Sequence, residues 1–203
     1  MIKLTKTQKT LITTSADLAK IMRQILMREN KIKRQREHLW AIGLNEEFTL
    51  LYVELIAFGV PEKGKTKPME IYRLALQKNA TYLYLCHNRA NADMAAQADD
   101  KKLTDRMIQV GKIVGIHLFD HVIINHKTED HLSYADVGLM AELEKSMAWV
   151  PKFEQAKKIK SMAREEGEKA KAITIAKNMK KKKLDLELIS QLTGLSLKEI
   201  EKL

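Results

Sequence analysis

Residues 116–125, IHLFDHVIIN, make an apolar-rich run of strand length. Such a run is typical of a buried central strand, which needs helices packed on the sheet to cover it. The flanking sequence has that periodicity. In SADLAKIMRQILMRE (15–29), Leu18, Ile21, Met22, Ile25 and Leu26 recur at the i, i+3, i+4, i+7, i+8 spacing of an amphipathic helix, with Ser15 as its expected N-cap. Helical spacing returns in MEIYRLALQKNA (69–80) through Ile71, Leu74 and Ala75, and in DKKLTDRMIQVGKIV (100–114) through Leu103, Met107, Val110 and Val114. Between these lie β-forming segments: EHLWAIGL (37–44) and FTLLYVELIAFG (48–59), an antiparallel pair, and TYLYLC (81–86). A loop is marked by Pro61, Gly64 and Pro68, a short edge strand is expected at 131–134, and a closing helix at 136–147. The fold class that satisfies this order is α/β, a mixed β-sheet flanked by helices.

Charge divides the chain differently. The formal net charge is +10, but residues 1–36 hold ten Lys and Arg against two Asp and Glu, residues 37–150 twelve against sixteen, and residues 151–203 fourteen against eight. A slightly acidic middle between two basic arms predicts a basic N-terminal segment (1–36) carrying the amphipathic helix, a central domain (37–148) and a helical tail (149–203). Basic arms attract polyanions, so nucleic acid is an expected partner; solvated helix faces are the simpler explanation of the same lysines. Beyond Pro151, the charged stretch 152–183 reads as a long helix able to pair with a second copy, and 184–203 as two short helices split at Gly194, the second opened by a Ser196–Glu199 capping box. No apolar run reaches the roughly 18 residues of a membrane span, and the first residues lack a signal-peptide pattern, so the expectation is a cytoplasmic protein with no membrane partner. The one cysteine, Cys86, excludes an internal disulfide and a cysteine-built structural zinc site.

Chemistry concentrates in LCHNRANADMAAQADDKKLT (85–104). His87 at a strand end and Asp100 at a helix start converge across a loop, either as a hydrogen-bonded pair or as part of a metal site, which would need further ligands. Cys86 alternates to the other face of that strand, where a small buried residue is expected.

These residues carry a resemblance. Thr13–Met140 resembles the RadC family, whose domain belongs to the JAB/MPN fold, a cytidine-deaminase-like mixed sheet. The likeness rests on REHLWAIGLN (36–45), on Ala80 with LCHN (85–88), and on Asp100 and Thr104 followed by VGKIVGIHLFDHVII (110–124). The resemblance implies a zinc-dependent metallopeptidase that hydrolyses amide or isopeptide bonds, with zinc held by an H-x-H-x10-D motif and an upstream glutamate acting on the bound water. His87 then matches the first histidine ligand, Asp100 the aspartate and Glu37 the glutamate. Arg89 stands at the second histidine, Ala90-Asn91-Ala92 replaces Pro-Ser-Gly, and Gln97 replaces a serine.

An arginine keeps its proton and offers no lone pair, so it places a cation where a cation should bind. The expectation is a degenerate site in which Arg89 bridges Asp100 in place of zinc, with weak or absent catalysis. The competing expectation is that His38, Asp93, His117 or His121 supplies the missing ligand, although alternation sends His38 to the face opposite Glu37. His121 otherwise reads as a strand histidine bonded within the core.

The tail has a likeness of its own. Residues 167–203 are similar to the C-terminal segment of the Rpn family of recombination-promoting nucleases and putative transposases. That implies a mobile-element setting and an assembly or nucleic-acid contact. The alternative to an enzyme is therefore a non-catalytic module that binds DNA, RNA, or a protein or peptide partner, in keeping with the DNA-repair association of the RadC name.

Overall fold

The computed structural model describes residues 1–59, 66–89, 94–125, 127–182 and 184–203. Pro61, Gly64, Ala90, Asn91, Ala92 and Asp93 lie outside the described residues. The chain folds as two compact units, Met1–Trp149 and Val150–Leu203.

In the first unit the helices are α1 (Ser15–Leu26), α2 (Lys31–Arg34), α3 (Pro68–Gln77), α4 (Ala98–Val114) and α5 (Leu139–Glu144). The strands are β1 (Glu37–Leu44), β2 (Leu50–Gly59), β3 (Tyr82–Arg89), β4 (His117–Asn125) and β5 (His131–Ser133). They form one mixed sheet in the order β2-β1-β3-β4-β5, with β3 and β4 parallel and the other neighbours antiparallel. The apolar run read as a central strand is β4, and it is covered on both faces. Ile123, Leu85 and Leu39 pack with Leu103 and Met107 of α4 and Ile71 of α3. On the other face Val122, Ile124 and Trp40 pack with Leu18, Met22 and Leu26 of α1.

The N-terminal segment is thus part of the core of this unit, since Leu18, Met22 and Leu26 are fully buried. Three of its arginines are engaged structurally: Arg23 donates to the Glu129 carbonyl, Arg28 to that of Lys3 and Arg34 to that of Glu29. The N-cap of α1 is Thr14 rather than Ser15, because Thr14 and Asp17 form the reciprocal capping box. Ser15 instead donates its hydroxyl to Asp136. The closing helix is shorter than its apolar spacing suggests, since Gly138, at φ 79°, precedes its start.

In the second unit α6 (Lys152–Lys181) is followed by α7 (Leu186–Thr193) and α8 (Leu197–Glu201). Gly194, at φ 70°, closes α7, and the Ser196–Glu199 capping box opens α8. Ala176, Ile189, Leu195 and Ile200 are its small core. Lys169 lies 2.9 Å from Glu199 and, with the Ser196 bonds, holds that carboxyl down at about 2. The N-terminal part of α6 has no continuous apolar stripe, and residues 163–171 are all exposed. No helix among the described residues is long and apolar enough to cross a membrane.

Candidate functional site

The site forms where β1 begins, β3 ends and α4 begins. TYLYLC reads as a strand ending before the histidine, but β3 continues through His87, Asn88 and Arg89. Three further residues of strand settle their directions, because alternate side chains share a face. His87 and Arg89 point to the α4 side, and Cys86 and Asn88 to the α1 side. Leu39 of β1 lies opposite His87, which brings Glu37, two residues earlier, alongside Arg89. Asp100 stands in the first turn of α4.

Arg89 is 1% exposed and Asp100 fully buried. The two terminal nitrogens of the guanidinium are spent within the site. Nη2 donates to Asp100 Oδ2 and to the Ala95 carbonyl (3.3 Å), and Nη1 donates to Glu37 Oε1 and Gln97 Oε1, each at 3.2 Å. Gln97, where the resemblance expects serine, thus accepts from the residue that stands where it expects histidine. The two departures form one contact.

His87 is held from behind by a relay. Thr104 gives its hydroxyl proton to the Asp100 carbonyl (2.7 Å) and lies 2.7 Å from His121 Nδ1, while His121 Nε2 lies 2.8 Å from His87 Nδ1. With both rings neutral, one proton arrangement is consistent: His121 donates through Nδ1 to Thr104, and His87 donates through Nδ1 to His121. The unprotonated Nε2 of His87 then faces Asp100 Oδ2 at 3.6 Å. A hydrogen bond of this kind from the far ring nitrogen fixes the tautomer of metal-binding histidines in zinc sites.

The other candidate ligands are placed elsewhere. His38 lies on the α1 face, stacked on Trp40 at 5.0 Å and edge-on to Phe58. His117, at the opposite end of β4, is exposed against Tyr82 and Phe119. His121 reaches His87 itself. Cys86 is buried, and burial pushes its thiol pKa up, which leaves it unreactive. Among the described residues no group of three or more His, Cys, Asp and Glu side chains is arranged to hold a metal ion.

A model of the RadC-like JAB domain matches residues 12–139, more than half of the chain. The chain belongs to that family. It is similar to the UPF0758 protein of Desulforudis audaxviator, 38% identical over 89 residues, 44% of this chain and 39% of the relative. The UPF0758 protein of Syntrophomonas wolfei is 31% identical over 114 residues, 56% of this chain and 48% of the relative. UPF0758 protein lin1584 of Listeria innocua is 36% identical over 89 residues, 44% and 40% of the respective lengths. The chain therefore spans less than half the length of these curated relatives.

Asn88 and His38 are contacts in this RadC-like domain that sequence spacing does not reveal. The Asn88 side-chain oxygen accepts from the His38 backbone N–H (2.7 Å), and its amide donates to the Arg34 and Arg36 carbonyls, pinning the turn that leads into Glu37. His38 is 2% exposed, and its buried Nε2 has no hydrogen-bond partner among the described residues. Desolvation holds its pKa below the ordinary histidine value. The unfolded chain therefore takes up this proton at a higher pH than the folded one. Stability contributed by neutral His38 is present above the unfolded value of about 6.5 and is lost as pH falls toward the folded one, by up to about 1.4 kcal/mol per pH unit. Urea unfolding at stepped pH should show this loss, and His38→Phe should flatten it. An unchanged pH profile in the variant would assign the acid sensitivity elsewhere.

Proposed function

We propose that this RadC-like chain uses the JAB fold as a binding scaffold derived from a zinc metallopeptidase, with catalysis weak or lost and a guanidinium standing where zinc would bind. The single observation that carries this reading is the buried Arg89 bonded to Asp100, Glu37 and Gln97. Zinc needs lone-pair donors converging on one point. Here His87 and Asp100 are the available donors of the motif, and the third position holds a fixed cation, so the residues present do not fit the ion. Asp100 is instead neutralised by a charge-assisted hydrogen bond from within the protein.

A peptide-hydrolysis assay of the full chain, with and without added zinc, tests this. Turnover that does not rise with zinc is expected. Zinc-dependent turnover removed by Glu37→Gln would overturn the proposal and restore Glu37 as general base, with His87 and Asp100 as ligands.

The scaffold's partner is read as a protein or peptide, or as nucleic acid. The basic arms favour the second, since Lys31, Lys33 and Arg36 are exposed just ahead of Glu37. The Rpn-like tail is counted with them. Phosphate contacts weaken steeply with salt, so retention on single- or double-stranded DNA should fall as salt rises and should drop when Lys31 and Lys33 are changed to Glu. Those substitutions are preferable to removing residues 1–36, which would strip α1 from the core.

A further inference from the structure

We infer that this chain forms a dimer through the free edge of β2, two copies pairing antiparallel about a two-fold axis between Ile56 and Ala57. β2 is the outermost strand of the sheet and is paired along its length with β1. Among the described residues its outer edge is covered at the start: Leu50 N–H donates to the Thr10 carbonyl (3.1 Å), and the Val53 carbonyl accepts from Ile2 N–H (2.8 Å). Beyond Val53, no described residue forms a backbone hydrogen bond with that edge. Exposed edges are normally guarded by lysine, proline, an inward charge, a covering segment or a bulge that turns the edge away, and of these the stretch beyond Val53 has, among the described residues, only the bulge described below. The stretch Glu54–Phe58, ELIAF, contains neither lysine nor proline, and Glu54 is held within its own copy by Arg73 at 3.0 Å.

The register makes this edge self-complementary. Leu55 lies opposite Trp40 and Ala57 opposite Leu39, so Ile56 is the extra residue of a bulge. The bulge shifts the alternation and brings Leu55 and Phe58 onto one face, Phe58 lying opposite His38. Both are exposed, at 41% and 43%. In an antiparallel self-pairing about the stated axis, Leu55 of each copy meets Phe58 of the other, and Ile56 meets Ala57. Apolar side chains that share a face then meet twice, as an isologous interface requires. A foreign strand would have no reason to repeat this match. This inference stands apart from the metal-site reading and from any pairing of α6.

Sedimentation equilibrium of the full chain tests it. The expected mass is twice the 23.3 kDa of one chain. Leu55→Lys and Phe58→Glu alter partly exposed side chains, Phe58 also touching His38 and Arg36, and each should weaken the dimer by about tenfold or more while circular dichroism stays unchanged. Mixed in equal amounts, the two variants should recover a dimer. Each mixed pair places Lys at 55 of one copy against Glu at 58 of the other and keeps one native Leu55–Phe58 contact. A wild-type chain that stays monomeric through the micromolar range, a dimer that both variants leave intact, or variants that fail to recover on mixing would each overturn the inference.

Discussion

Arg89→Met is expected to cost the Met1–Trp149 unit about 3–5 kcal/mol of unfolding free energy, the range for breaking a buried ion pair by removing one partner. Methionine keeps much of the length of arginine but has no charge and no donors. Asp100, fully buried, would lose the guanidinium that neutralises it, while Glu37 and Gln97 would each lose a donor. Urea unfolding followed by tryptophan fluorescence reads this unit alone, because both tryptophans, Trp40 and Trp149, lie within it. Adding Asp100→Asn to Arg89→Met should recover part of the loss, since the neutral amide no longer needs a counter-charge. That recovery appears as a coupling energy in a double-mutant cycle. A loss under about 1 kcal/mol, the size of a surface pair, would show that the guanidinium carries little of the site's stability.

Arg89→His should give the opposite kind of result, a gain of metal binding. Position 89 shares its strand face with His87, and the Thr104–His121 relay already holds the His87 ring in the orientation a ligand needs. Asp100 would be freed from its guanidinium. The variant should take up about one zinc per chain and be stabilised by the ion, by about 2.7 kcal/mol at a free zinc concentration 100 times the dissociation constant. Thermal unfolding with and without zinc reads this independently of catalysis. A variant that folds yet neither binds zinc nor shifts its unfolding temperature would mean that the surrounding structure has moved away from a metal-binding shape.

The layers of the fold were legible wherever one face or one whole element is apolar. β4, α1 and α4 follow directly from their hydrophobic spacing, because burial against the sheet is what maintains that spacing. β3 was read three residues short. Asn88 and Arg89 look like loop residues in a local window and become strand residues through partners far away in sequence: the carbonyls of Arg34 and Arg36 for Asn88, and Glu37 and Asp100 for Arg89.

Much the same division holds at the site. His87, Arg89 and Asp100 were singled out by motif spacing and Glu37 by the family resemblance, and the contact between Arg89 and Asp100 was expected from their charges. The relay was not visible, since it depends on β3 and β4 lying parallel with Leu85 opposite His121, which places that ring diagonal to His87. The role of Gln97 was also hidden. As a substitution it reads as a loss, and only the position of the guanidinium shows that its side-chain oxygen accepts a hydrogen bond.

The most direct test is the zinc content of the wild-type full chain, purified without chelators or affinity metals and measured by elemental mass spectrometry. The account expects far less than one zinc per chain, and no retention after zinc is added and dialysed away. One tightly held zinc per chain, lost on Asp100→Ala, would contradict it and would require Arg89 to leave its place between Glu37 and Asp100.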